Sequence, residues 1–114
     1  MKTIIYHNPR CSKSREALKL LQEHESVEVR EYLKEVPDEK EIKQLIQLLG
    51  ITPIQLIRVK EAIFLPYKGK SLTDEECIQL MAKHPQLIER PIVIKDNKAV
   101  IGRPPSLVLS LLKP

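Results

Sequence analysis

Apolar and polar positions along this chain change their period several times, and each change marks an element. Thr3–Tyr6 is a short apolar run that predicts a buried strand. From Ser12 to about Glu23 the apolar residues move to helical spacing, with Ala17, Leu18 and Leu21 on one face. The alternation of Val27 and Val29, ending at Tyr32, predicts a second strand. Pro37-Asp38 opens a helix: Asp38 caps it, Glu41 sits three positions later, and Ile42, Leu45, Ile46 and Leu49 form its apolar stripe before Gly50 closes it. Thr52-Pro53 starts a shorter helical piece reaching about Arg58, and residues 61–71, with Pro66 and Gly69, read as a loop. Thr73-Asp74-Glu75-Glu76 is a capping box that introduces a helix through Lys83, stopped by His84-Pro85. Pro91–Ile94 then predicts a strand, Asp96-Asn97-Lys98 a hairpin turn and Ala99–Ile101 the returning strand. A last helix follows Gly102-Arg103-Pro104-Pro105 and carries Leu107, Val108, Leu111 and Leu112.

The order is therefore β-α-β, a helical block over roughly 37–85, then β-β-α. The first unit requires a right-handed crossover and parallel strands, and the tail supplies an antiparallel hairpin, so the class is α/β. At 114 residues the chain is expected to form one domain, residues 1–114. No apolar run approaches the length that crosses a membrane, since Lys43, Gln44 and Gln47 interrupt the longest candidate, Ile42 to Ile51. The strand pattern begins directly after Met1-Lys2, which leaves no room for a signal peptide and makes a cytoplasmic location the expectation. The net charge is +4, but basic and acidic residues interleave, as in Lys34-Glu35 and Lys40-Glu41, and aromatics are only 4%. Neither a phosphate-tracking stripe nor a base-stacking platform is present, so nucleic-acid binding is not expected and a small anionic substrate fits better.

The chemistry gathers at Cys11. It follows the first strand through His7-Asn8-Pro9-Arg10 and stands where the first helix begins. The thiolate is the nucleophilic form, and a helix N-terminus with cationic neighbours lowers a cysteine pKa to roughly 3.5–7.5. First-turn amides lack intrahelical partners and form an anion site. A buried cysteine acting as a small hydrophobe is the commoner case, but Arg10, Ser12, Lys13, Ser14 and Arg15 make this an electropositive loop. Cys77, one turn before Leu80 and Met81, reads instead as a core residue. His7 could act on the thiol as an imidazolium or close the strand end. No His/Cys cluster has metal-ligand spacing, so no metal site is expected.

His7-Asn8-Pro9-x-Cys11-x-x-Ser14-Arg15, with Glu89-Arg90-Pro91-Ile92-Val93 and Gly102-Arg103-Pro104, closely resembles the glutaredoxin-coupled arsenate reductase family. The resemblance covers essentially the whole chain and implies a thioredoxin-like fold with the helical block as an insertion. It implies that Cys11 attacks arsenate, that glutathione adds to the arsenic, and that glutaredoxin reduces the adduct to release arsenite. Arg58, Arg90 and Arg103 match the arginines that hold the oxyanion; His7, Asn8, Ser14 and Arg15 match the loop around the thiol. Pro91 falls where thioredoxin-like folds carry a cis-proline facing the cysteine. No bound cofactor is implied, glutathione being a co-substrate, and a monomer is expected.

Arginine suits the oxyanion role because its planar fork can hold two oxygens at once. Ser14 stands where a Cys-x-x-Cys motif would carry its second thiol, so an intramolecular disulfide is excluded at this loop. That absence also separates the chain from the family's transcription-regulating relatives. Cys-x5-Arg phosphatase-type chemistry fails because Ala17 occupies the sixth position after Cys11. Two alternatives remain: glutathione-dependent monothiol transfer through a mixed disulfide, and a non-enzymatic module resembling the regulators.

Overall fold

The computed structural model describes residues 2–112. Two compact units result: one runs to Glu35 and resumes at Arg90, and the other is Val36–Glu89. The first contains β1 (Thr3–Tyr6), α1 (Ser12–Gln22), β2 (Val27–Arg30), β3 (Ile92–Lys95), β4 (Lys98–Ile101) and a 3-10 helix over Pro105–Leu112. The strand order is β2-β1-β3-β4. β1 and β2 are parallel, placing Ile5 beside Val29, while β1–β3 and β3–β4 are antiparallel, with Ile5 beside Val93 on the other side. This is a thioredoxin-like arrangement. Ile5, Ala17, Leu21, Val93 and Val108 form a fully buried core linking the sheet, α1 and the C-terminal 3-10 helix. Truncating one of the larger members, such as Leu21→Ala, costs about 2–5 kcal/mol.

Three details of this unit differ from the sequence pattern. The second strand stops at Arg30, and Val29 is exposed although it alternates with Val27. β2 is an edge strand, so its alternation does not mark a buried face; Tyr32, beyond the strand, is the fully buried residue. The hairpin turn has two residues, Asp96 and Asn97, with φ of 52° and 62°, and Lys98 already pairs with Lys95. Asp and Asn tolerate the left-handed region that such two-residue turns require. The final helix is 3-10 throughout. Glu25, in the α1–β2 connection, is held by the Lys95 ammonium at 2.7 Å and by the Thr3 hydroxyl, which keeps its carboxyl below the usual range.

The second unit packs α2 (Glu39–Leu49) on α3 (Asp74–Lys83). Asp38 caps α2, its Oδ1 accepting from the Glu41 N–H at 2.8 Å, and Gly50 ends it with φ of 67°. Thr73 and Glu76 form a reciprocal capping box on α3, with contacts of 3.1 and 2.9 Å. The stretch expected to be a loop contains a 3-10 helix, Ala62–Tyr67, with Phe64 buried. Pro66 lacks the N–H needed for an α ladder, so six residues of tighter helix leave no 3.6-residue period to detect. Residues 57–58 align with 88–89: Ile57 bridges Ile88, the Arg58 N–H donates to the Leu87 carbonyl at 2.7 Å, and the Glu89 N–H donates to the Leu56 carbonyl at 2.9 Å. Among the described residues no helix is long and apolar enough to cross a membrane.

Candidate active site

β1 delivers the chain to a loop that its own polar groups fasten. The His7 N–H donates to the Arg30 carbonyl at 2.8 Å, which ties the loop to the end of β2. The Asn8 side-chain oxygen accepts from the Arg10 N–H at 3.0 Å, and its carbonyl accepts from the Cys11 N–H at 3.0 Å. Ser14 is fully buried one turn into α1; its Oγ accepts from the Asn8 N–H at 3.1 Å and lies 2.7 Å from His7 Nδ1. Arg15 reaches back to donate from Nη1 to the Pro9 carbonyl at 2.9 Å. Four side chains thus fix the approach of the backbone to Cys11.

The setting of His7 favours its neutral form. Burial pushes its imidazole below the ordinary value; Glu31 opposes that and Arg15 adds to it. Ser14 Oγ already accepts a backbone N–H, so its hydroxyl proton is free to go to an unprotonated Nδ1. The contact between His7 Nδ1 and Ser14 Oγ ties the end of β1 to the first turn of α1.

Cys11 is the N-cap residue of α1, in extended conformation, with its sulfur at the first-turn amides of Lys13 and Ser14. Burial alone would push the thiol up. The Ser14 amide, the Arg90 guanidinium and the Lys13 amide together overcome that, and the thiol lies below its ordinary value. Arg103 approaches from the other side, its Nη2 donating toward Sγ at 3.6 Å, while its Nε donates to the Arg90 carbonyl at 2.8 Å. The Arg90–Pro91 bond is cis, and so is Arg103–Pro104, for which the sequence offered no signal beyond the proline. Two guanidiniums and two first-turn amides thus surround one half-buried sulfur. Such an arrangement stabilises a thiolate and offers N–H donors to an anion beside it.

Arg58 belongs to the second unit, where its guanidinium lies 3.5 Å from a Glu61 oxygen and 3.4 Å from a Glu89 oxygen. Cys77 is also there, buried on α3. Burial raises its thiol, and the carboxylates of Asp74 and Glu76 raise it further. Among the described residues no group of His, Cys, Asp or Glu side chains is arranged to hold a metal ion.

Residues 6–111, nearly the whole chain, match the ArsC family. The chain belongs to the ArsC family. It is 46% identical over 112 residues to YfgD of Escherichia coli K12, an uncharacterized protein, covering 95% of this chain and 94% of that one. It is 42% identical over 104 residues to an arsenate reductase of Neisseria meningitidis, covering 88% and 89% of the two chains. The solved structure of an arsenate reductase from Vibrio cholerae superimposes with a TM-score of 0.91 at 43% identity, covering 97% of this chain and 98% of that one. In this ArsC-family chain the groups around the sulfur come from both ends of the matched region: Cys11 and Ser14 near its start, Arg90 and Arg103 near its end.

Proposed function

We propose that this ArsC-family chain reduces arsenate, with Cys11 as the nucleophile and glutathione and glutaredoxin as the source of electrons. The observation that supports this reading is the convergence of the Ser14 and Lys13 amides, Arg90 and Arg103 on the Cys11 sulfur. The Cys11 thiolate attacks arsenic(V); an S–As bond forms and one oxygen leaves as water. Glutathione adds its thiol to the same arsenic, and a second oxygen leaves as water. A glutaredoxin thiolate then attacks the glutathione sulfur, and the electron pair of the S–As bond to glutathione stays on arsenic, now arsenic(III). The other product is the glutathione–glutaredoxin mixed disulfide. Water cleaves the remaining S–As bond, releasing arsenite and returning Cys11.

Arg90 and Arg103 hold the oxyanion and balance the charge of the thiolate. Arg58 enters as a third cation through its motif match. Asn8, Ser14 and Arg15 keep the loop in place, and neutral His7 is one of its anchors. Ser14 in place of a second thiol leaves no resolving partner in the loop, so the reduction depends on external thiols.

Arsenite formation with glutathione and a competent glutaredoxin tests the proposal. Arg90→Lys should lower kcat/KM by roughly ten- to a hundredfold, because a charge-assisted contact is worth about 1.5–3 kcal/mol and lysine loses the fork. Arg58→Ala, assayed alongside, decides whether the third arginine belongs to the set. No arsenite from the wild-type chain would reject arsenate reduction in favour of monothiol exchange on glutathionylated substrates.

A further inference from the structure

Gly102 joins the end of β4 to Arg103, and the space around its α-carbon is closed. A Cβ at this position would lie 2.9 Å from Pro91 Cγ and 2.9 Å from Val108 Cγ1, with Ala17 Cβ at 3.6 Å. The first two distances are too short for carbon–carbon contact. Neither neighbour can swing aside, because the proline ring is rigid and valine is stiff at χ1. The Gly102 N–H also donates to the Pro91 carbonyl at 2.8 Å, so the backbone is drawn into the contact. Arg103 follows directly, with Nε on the Arg90 carbonyl and Nη2 toward Cys11 Sγ. Nothing in the conformation of Gly102 requires glycine, because no left-handed φ marks it among the glycines. The requirement is for space alone.

We infer that Gly102 is a positioning residue for the thiol: its missing side chain lets the β4 exit close on Pro91 and Val108, and that closure holds the Arg103 guanidinium against the Cys11 sulfur. The inference rests on the proposed role of Arg103 and extends it to a residue that touches neither sulfur nor substrate. Any side chain at position 102 must push the segment off Pro91, and Arg103 moves with it. The inferred route from position 102 to Cys11 runs through Arg103.

A double-mutant cycle on the full chain tests this, with the pH profile of Cys11 alkylation by iodoacetamide as the readout and Cys77→Ser as background. Arg103→Met should raise the apparent pKa of Cys11 by about one unit, the lower end for loss of an adjacent opposite charge. Gly102→Ala should reproduce most of that rise, and Gly102→Ala added to Arg103→Met should raise it no further. Val108→Ala in the Gly102→Ala chain removes one of the two close contacts and should recover part of the shift. A folded Gly102→Ala chain with the wild-type profile overturns the inference, as does a full additional rise on top of Arg103→Met. If Arg103→Met alone leaves the profile unchanged, the proposed role of Arg103 fails instead. If neither Gly102→Ala nor its Val108→Ala partner folds, Gly102 is a residue of the fold and the positioning role is rejected.

Discussion

The two cysteines sit on helices of similar length and have opposite chemistry. Cys11 stands at the N-cap of α1, and Cys77 inside the first turns of α3, four residues past its own N-cap Thr73. Burial pushes both thiols up, yet one lies below its ordinary value and the other above it. The difference lies in what the neighbouring groups are. The first turn of α1 contains no acidic residue, so its amides point at an unopposed sulfur beside Arg90 and Arg103. The first turn of α3 carries Asp74, Glu75 and Glu76, which suit the helix, and two of them, Asp74 and Glu76, oppose a thiolate at Cys77. The same residues that strengthen a helix start can thus suppress a cysteine near it.

The largest expected effect is on turnover. Cys11→Ser should abolish arsenite formation and Cys77→Ser should leave it near wild type; a silent Cys77→Ser enzyme would end the comparison. Next is reactivity. At pH 7 iodoacetamide should label Cys11 at least roughly a hundredfold faster than Cys77, since only the thiolate of an accessible cysteine reacts. Denaturant should bring the two rates together, and labelling at Cys77 before Cys11 in the folded chain would invert the assignment.

Stability against pH sharpens the contrast, because the two thiols contribute with opposite sign. The folded pKa of Cys11 is lowered, so its contribution is present above the unfolded value and is lost as pH falls through the folded one. That of Cys77 is raised, so its contribution is present below the unfolded value and is lost as pH rises through the folded one. Thermal melts from neutral to alkaline pH should therefore fall less steeply for Cys77→Ser than for wild type, and more steeply for Cys11→Ser. Parallel curves for all three chains would contradict both assignments. The smallest effect is expected from Glu76→Gln. Burial is the leading cause of the Cys77 shift, so removing this exposed carboxylate should leave Cys77 slow to alkylate. Fast labelling in that variant would show that charge, rather than burial, silences it.

Much of this contrast was legible in the chain because its causes are local. Asp38 with Glu41, Thr73 with Glu76 and Gly50 announce their helix ends within a few residues, and Cys11 announces its place through the residues that flank it. What was not legible depends on distant packing. Val27 and Val29 alternate like a core strand, but a position at the edge of a sheet leaves no local trace. Ala62–Tyr67 is helical in a form too short and too tight to show a period. Arg90 and Arg103 could be placed beside the sulfur only by resemblance, since β3 and β4 bring them there from the far end of the chain. Gly102 gave no signal, because the atoms that exclude a side chain belong to Pro91 and Val108.

The hydrogen bond from Arg103 to Cys11 spans 92 positions. During synthesis Cys11 therefore leaves the ribosome long before the Arg103 guanidinium that it meets in the folded chain. A nascent chain that has not yet delivered β4 holds the cysteine short of that cation. Cys11 thus has the Lys13 and Ser14 amides from its own helix, and gains Arg90 and Arg103 only when the strands from the far end of the chain join β1.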